Sequence, residues 1–465
     1  MPTFTHRIEL DHPVERVFDW HTRPGAFQRL SPPWQNVRIR AMDGGLEVGS
    51  RVVLGLRKGP AELRWEVEHT ELEPNRLFVD EQRSGPFAHW RHEHRFSDLG
   101  GGRSALEDVV EWAPPLGSLG QTFSGPFIHS TLERLFGFRS RRLVNDLHLH
   151  QRYPGQPLHV AITGSTGLIG GGLVHFLRTG GHRVTRISRN PAKGDQEGWL
   201  HWDPQEGRLD GDDLEGVDAV VHLAGEPISG VRWTRSKKEA IHQSRVQGTE
   251  LLSRTLAELK APPTTFISAS AVGYYGDRGE EILTEDAGPG RGFLAQVCRD
   301  WEKATHTARG VGIRTVHLRT GVVLSPSGGV LGTVLLPFQL GAGGRLGSGR
   351  QYMSWIDLDD HVGLILHILR TPDLRGPVNS TAPNPVPNAS FTAALGRTLG
   401  RPTILPAPAL AIRTLLGEMG EELLLQGQRV IPQRALTTGY HFLFPDLEDS
   451  LAHQLGRVTE DSPQS

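Results

Sequence analysis

The sequence predicts two architectures in tandem. The first is an α+β unit in which one curved antiparallel sheet grips a long helix. The second is a doubly wound α/β unit with a parallel sheet and a small helical region at its end. Three observations predict this. Residues 1–150 carry successive period-2 apolar patterns closed by one long amphipathic segment. After a short Pro/Gly-containing stretch, RYPGQP (152–157), apolar runs alternate with helix-period segments. A glycine-rich turn joins the first of those runs to the first of those helices. A chain of 465 residues asks for two or three domains at about 100–200 residues each. The expected bounds are 1–150, 158–400 and 401–455.

The elements follow in order. FTHRIEL (4–10) alternates and reads as a strand. The stretch from Pro13 to Leu30 reads as one helix, with Pro13 in its first turn. VRIRAM, RVVLGLR, ELRWEVEHTEL, RLFVDEQR, WRHEHRFSDL and SALEDVVEW then alternate between Gly, Pro or Asp turns, which is the pattern of strands in one antiparallel sheet. From Thr122 to His150 the residues Phe127, Ile128, Leu132, Leu135, Phe136, Leu143 and Leu147 recur at helical spacing. Between such a sheet and helix a cavity is expected. In the second unit, strands are expected at 158–163, 183–188, 218–223, 264–268 and 313–318, and helices at 168–178, 235–259 and 293–308. Strand–helix alternation of this kind implies a parallel sheet covered on both faces. The last ~65 residues read as helical, with an apolar close at GYHFLFPDL and a frayed tail after Leu455.

Composition removes several function classes. A net charge of −2 argues against nucleic-acid binding by bulk electrostatics. The single cysteine, Cys298, excludes an internal disulfide framework and cysteine-based metal centres. No run reaches the ~20 apolar residues of a membrane span, and the N-terminus lacks a signal pattern. A cytoplasmic protein is expected. The 22 histidines raise the question of a metal. In HWRHEH (89–94) only His92 and His94 share a face, giving two ligands at most, so no metal site is expected.

TGSTGLIG (Thr163–Gly170) follows an apolar strand and opens a helix, the context a dinucleotide-binding turn requires. Gly164 permits the tight turn, Gly167 lets a pyrophosphate approach the backbone, and Gly170 lets the helix pack close. Backbone amides and the helix dipole then favour the anion. NAD sites carry an acidic residue at the tip of the next strand. Here the tip reads Ser188–Arg189, with Lys193 nearby, and a guanidinium there pairs with a 2′-phosphate. NADP(H) is the expected cofactor.

With HLAGEPI (222–228), RWTRSKKEAIHQSRVQGT, SASAVGYYGD, RTGVVLSPSGGVL, LGSGRQYMSWIDLDD and ILPAPALAIRTLLGE, residues 158–455 resemble an atypical branch of the extended short-chain dehydrogenase/reductases of the epimerase family. That resemblance implies a Rossmann fold and a cofactor site at Gly164, Ser165, Thr166, Gly167, Leu168, Ile169, Gly170, Ser188, Arg189, Leu223, Ala224, Gly225 and Arg245. Residues 1–150 resemble a START-like domain of the SRPBCC, polyketide-cyclase type, which implies an apolar ligand in its cavity.

The chain departs from the family at one point. Extended members usually carry Tyr-x-x-x-Lys in the helix after the serine strand. Anchoring FLAQVCRDWE on Glu302 puts Leu294 and Cys298 in those two places. Neither side chain does acid–base work. The substitutes within SASAVGYYGD are Ser270 and Tyr275, expected at the carboxyl end of a strand, where open α/β sheets bind ligands. Tyr275 without a lysine would act as a proton donor to a carbonyl being reduced. The segment 335–355, glycine-rich with aromatics, is expected to wall the pocket. SWIDLDDHV reads as a helix N-terminus with Asp359 near the cap. Three functions remain open: an NADP(H) oxidoreductase on a small molecule, a non-catalytic NADPH and apolar-ligand binder, or a nucleotide-sugar epimerase.

Overall fold

The computed structural model describes residues 1–457 except 36, 60, 116, 191–197 and 231. Lys193 and the tail beyond residue 457 therefore lie outside the described residues. The chain divides into two compact units between Pro154 and Gly155, the first also taking in Arg178–Gly181 and the chain from Ala452 on.

The first unit is one antiparallel sheet and a long helix. Its strands are β1 (Thr3–Leu10), β2 (Val37–Asp43), β3 (Arg51–Lys58), β4 (Ala61–Glu73), β5 (Leu77–Ser84), β6 (His89–Gly100) and β7 (Arg103–Ala113), in the order β1-β7-β6-β5-β4-β3-β2. The period-2 pattern sends Phe78, Phe96 and Leu106 inward against Leu143 and Leu147 of helix α3 (Gly117–Arg152). Full burial of each such side chain stabilises the unit by about 1.5–3 kcal/mol. Two expectations need correction. The segment 13–30 forms two helices, α1 (Val14–Thr22) and α2 (Ala26–Leu30), because Arg23 turns extended before Pro24; Gly25 takes φ 103°, and Pro13 is the cap of α1. Phe127, expected on the buried face of α3, is 71% exposed.

The second unit holds an eight-stranded sheet among the described residues. Its strands are β8 (His159–Thr163), β9 (Arg183–Ser188), β10 (Trp199–Asp203), β11 (Arg208–Leu209), β12 (Ala219–His222), β13 (Thr265–Ala271), β14 (Arg314–Thr320) and β15 (Gly376–Ser380). The order is β11-β10-β9-β8-β12-β13-β14-β15, all parallel except β11 at the edge. The order reverses between β8 and β12, a switch point where such sheets bind ligands outside their carboxyl ends. Helix α4 (Leu168–Thr179) follows β8. Helix α5 (Arg235–Glu258) is capped by Thr234, whose hydroxyl accepts from Lys237 N. Its Leu251, Leu252 and Leu256 bury against Val220 and Phe266 of the sheet.

The expected helix 293–308 ends early. Helix α6 (Phe293–Lys303) is followed by a separate short helix, His306–Gly310. The expected C-terminal helix is likewise broken. Ala409–Leu416 stops at Gly417, which takes φ 61°, and Arg429–Val430 becomes a strand beside Ile282–Leu283. SWIDLDDHV does open helix α7 (Leu358–Arg370), with Asp359 in its first turn near the cap; the cap itself is Asp357, whose carboxylate accepts from Asp359 N. Asp360 accepts from Leu443 N, Phe444 N and the Tyr440 hydroxyl, which ties the apolar close of the chain to α7.

Candidate functional site

The glycine turn is built from both sides of the switch point. Gly164 takes φ 66°, and a Cβ there would lie 2.8 Å from the carbonyl carbon of Leu223. Only glycine fits. The Thr163 hydroxyl accepts from Leu223 N and Ala224 N at 3.1 and 3.2 Å, locking the tip of β8 to that of β12. It also lies 2.7 Å from Nδ1 of His222, whose burial pushes its pKa down to about 3. The two motifs TGSTGLIG and HLAG are thus one structural device. At Gly170 a Cβ would meet Gly164 O at 2.3 Å, whereas at Gly167 it would meet only that oxygen, at 3.3 Å. Gly167 and Thr166 are exposed, so the face over the turn is open. Ser165 Oγ is buried beside it and has no hydrogen-bond partner among the described residues. Leu168 and Ile169 open α4, and the amides of a helix's first turn have no acceptor within the helix itself.

Ser188 ends β9 half-buried and accepts from Asn190 N, and Arg189 follows it exposed to solvent. Leu223 and Ala224 extend half-buried from β12, with Gly225 exposed. Arg245 of α5 reaches this loop: its Nη1 donates to the carbonyls of Glu226 and Ile241, and its guanidinium lies 3.2 Å from where a Cβ of Gly225 would be. The guanidinium is therefore partly committed to holding the loop. Arg186 was not anticipated. It donates to Ser165 O and stacks over Trp199 at 4.2 Å, bracing the turn from β9.

The expected proton donors are not presented to a substrate. Tyr275 is fully buried, in a core cluster with Leu283 and Val430. Its hydroxyl donates to Asn379 Oδ1 at 2.7 Å and accepts from Arg319 Nη1 at 3.0 Å. Burial pushes its pKa up to about 12. Ser270 is also buried and donates to Glu302 Oε1 at 2.8 Å. Glu302 is gripped by Arg319 through Nε at 2.8 Å and Nη2 at 3.0 Å. Arg319 lies 3.5 Å from the ring centre of the half-buried Tyr274. Ser270, Glu302, Arg319, Tyr275 and Asn379 therefore form one closed network, and the expectation that Tyr275 donates a proton is corrected by its burial. Tyr275→Phe should cost about 1–3 kcal/mol in chemical denaturation, by stripping Asn379 and Arg319 of a buried partner, and leave dinucleotide affinity unchanged.

Leu294 and Cys298 both face Gly273 from α6: a Cβ there would lie 3.2 Å from Leu294 Cβ and 4.0 Å from Cys298 Sγ. Leu294 packs with Trp233, Met419, Leu416 and Leu423, so apolar packing against the C-terminal region fills the place expected for a tyrosine. Cys298 is buried, and desolvation raises its thiol pKa to about 11. In the segment 335–355, the Gln351 amide donates to the carbonyls of Leu346 and Leu424, tying this wall to the same region.

In the first unit, His92 and His94 do share a face, as expected, but "two ligands at most" is corrected. Asp80 from β5 joins them, and the three donor atoms lie within 4.8 Å of one another. Asp108 from β7 touches both rings. Neighbouring strands supplied what the single-strand periodicity of HWRHEH did not show. An acidic residue in the inward phase of SALEDVVEW was the available signal.

Comparison with known proteins places these features in context. Residues 160–379 match the NAD dependent epimerase/dehydratase family, 407–454 match a domain of unknown function (DUF1731), and 10–137 match the polyketide cyclase/dehydrase and lipid transport family. An epimerase family protein of Mycobacterium bovis is 46% identical over 298 residues, covering 64% of this chain and 98% of that protein. A structure described as the nucleoside-diphosphate sugar epimerase of Corynebacterium glutamicum is 36% identical with a TM-score of 0.81, covering 97% of this chain and 90% of its own. The human epimerase family protein SDR39U1, crystallised with NADPH, is 34% identical with a TM-score of 0.58, covering 63% of this chain and 98% of its own. No helix among the described residues is long and apolar enough to cross a membrane.

Proposed function

The chain belongs to the NAD dependent epimerase/dehydratase family, and from that premise we propose that it binds NADP(H) on the Thr163–Gly170 turn and transfers a hydride between that dinucleotide and a small molecule. The small molecule would sit at the carboxyl ends of β12, β13 and β14. The observation that carries this reading is the open face over Gly167, with the buried, unpartnered Ser165 hydroxyl beside it. Gly164, Ser165, Thr166, Gly167, Leu168, Ile169 and Gly170 would hold the pyrophosphate through backbone amides. Leu223, Ala224 and Gly225 would flank the adenosine side, with Arg245 holding their loop in shape. The bound dinucleotide supplies the hydride. The relative crystallised with NADPH supports the phosphorylated cofactor. So does Arg189, exposed after Ser188 where an NAD site carries an acid. Arg189→Ala should abolish a preference of at least tenfold for NADPH over NADH, about 1.4 kcal/mol, as measured by calorimetric titration of both.

Nucleotide-sugar epimerisation lacks support from the residues, since Leu294 and Cys298 offer no acid or base. One observation favours a second reading, in which the dinucleotide is held without turnover: Ser270 and Tyr275 are both consumed by the buried network around Glu302 and Arg319. NADPH oxidation with a panel of aldehydes, ketones and quinones separates the two. Turnover with any class supports the oxidoreductase, and tight NADPH binding with no turnover supports the holder.

The domain bounds 1–150, 158–400 and 401–455 are kept as a proposal, with nearly all of the last two sharing one compact unit. For the first we propose a small ligand with an apolar part, held against Trp65, Phe87, Trp90 and Phe136, which pack as one aromatic cluster.

A further inference from the structure

We propose that Asp80, His92 and His94 form a binding site for a divalent transition-metal ion of the zinc class inside the N-terminal sheet, with Asp108 orienting both imidazoles.

The topology brings these groups together. Strand β6 lies between β5 and β7. In register, Asp80 of β5 stands opposite His92, and Asp108 of β7 stands opposite His94. His92 and His94 are two apart and so share the inward face. His92, His94 and Asp108 are all more than nine-tenths buried.

Each imidazole turns one nitrogen to each carboxylate. Asp80 Oδ2 lies 3.2 Å from His92 Nδ1 and 3.6 Å from His94 Nε2. On a tetrahedral zinc, with bonds of about 2.0–2.2 Å, neighbouring donor atoms stand roughly 3.3 Å apart. These separations suit one ion among the three donors. The opposite nitrogens, His92 Nε2 and His94 Nδ1, lie 3.0 and 2.8 Å from Asp108 Oδ1. A carboxylate behind the imidazole is how metal-binding histidines are held in one tautomer. Here one carboxylate serves two rings.

The same four groups bear a second explanation, two protonated imidazoles between two carboxylates. One feature weighs against it. The rings lie 3.8 Å apart and are buried, so two imidazoliums would repel at close range. A divalent ion leaves both rings neutral and offsets both carboxylates. Two imidazole nitrogens and one oxygen select zinc or a late first-row neighbour over magnesium or calcium, which prefer oxygen donors. Three protein ligands leave a fourth position for water or for a polar group of the ligand held in this unit.

The test uses the full chain, stripped with a chelator and dialysed. Zn²⁺ titrated calorimetrically should bind at one ion per chain, and Co²⁺ should give the visible absorption of a low-coordinate nitrogen/oxygen site. Asp80→Asn and His94→Gln should each lower Zn²⁺ affinity at least 100-fold, and Asp108→Asn about 10–100-fold. Zn²⁺ should raise the melting temperature of the wild type and not that of His94→Gln. Absence of stoichiometric binding to the wild type at micromolar Zn²⁺ overturns the proposal in favour of the protonated pair. Binding that survives both Asp80→Asn and His94→Gln overturns it as well. Should a variant fail to fold, the wild-type stoichiometry and Co²⁺ spectrum decide alone.

Discussion

Gly170→Ala is expected to remove dinucleotide binding, with at least a 100-fold loss of affinity, about 2.7 kcal/mol. The added methyl would stand 2.3 Å from Gly164 O and 2.9 Å from Ser165 Cα, and both contacts are backbone. No side chain can move aside, so the turn itself must open. The melting temperature should fall too, since forced overpacking costs about 1–3 kcal/mol. Gly167→Ala separates shape from ligand. Its methyl meets only Gly164 O, at 3.3 Å, and points to the open face. That variant should keep its melting temperature and still lose NADPH, because the methyl occupies the ground a pyrophosphate needs. Undiminished affinity in Gly167→Ala would mean that the dinucleotide does not lie over this turn.

The second large effect concerns Glu302. Glu302→Ala should destabilise the second unit by about 3–5 kcal/mol, the usual cost of leaving a buried charge unpaired. Arg319 is 4% exposed along its side chain and has its bidentate partner in Glu302. Burial works against its charge, and Glu302 more than offsets this, raising the guanidinium pKa above its ordinary value. The same mutation strands the Ser270 hydroxyl. Adding Arg319→Met should recover most of the loss, since a pair replaced as a whole by apolar groups often costs little. Chemical denaturation of the two singles and the double forms a thermodynamic cycle. A single-mutant loss below 1 kcal/mol would mean that the network does not hold this region together.

These residues also show what the sequence could and could not convey. The glycine turn was legible because its parts are contiguous, and two of its glycines, Gly164 and Gly170, answer local steric demands. The seven strands of the first unit were legible because each is a half-buried period-2 run. The fate of Tyr275 was not. Its partners Arg319 and Asn379 are 44 and 104 residues away, on β14 and β15. Nothing in SASAVGYYGD separates a phenol aimed at a ligand from one aimed at a neighbouring strand. Asp80 and Asp108 were missed for the same reason: a cluster of side chains drawn from three strands has no spacing along one. Two of the broken helices had a local cause: Arg23 turns extended before Pro24, and positive φ at Gly417 ends the other segment, although the apolar periodicity runs on. Leu294 packs on a cluster that includes Met419 of the C-terminal region, which lies beyond any local pattern.

The most direct measurement of the central claim is calorimetric titration of the full chain with NADPH and, separately, with NADH. The account predicts one dinucleotide per chain and affinity for NADPH at least tenfold above that for NADH. Equal affinity for the two, or no saturable binding of either, would contradict it.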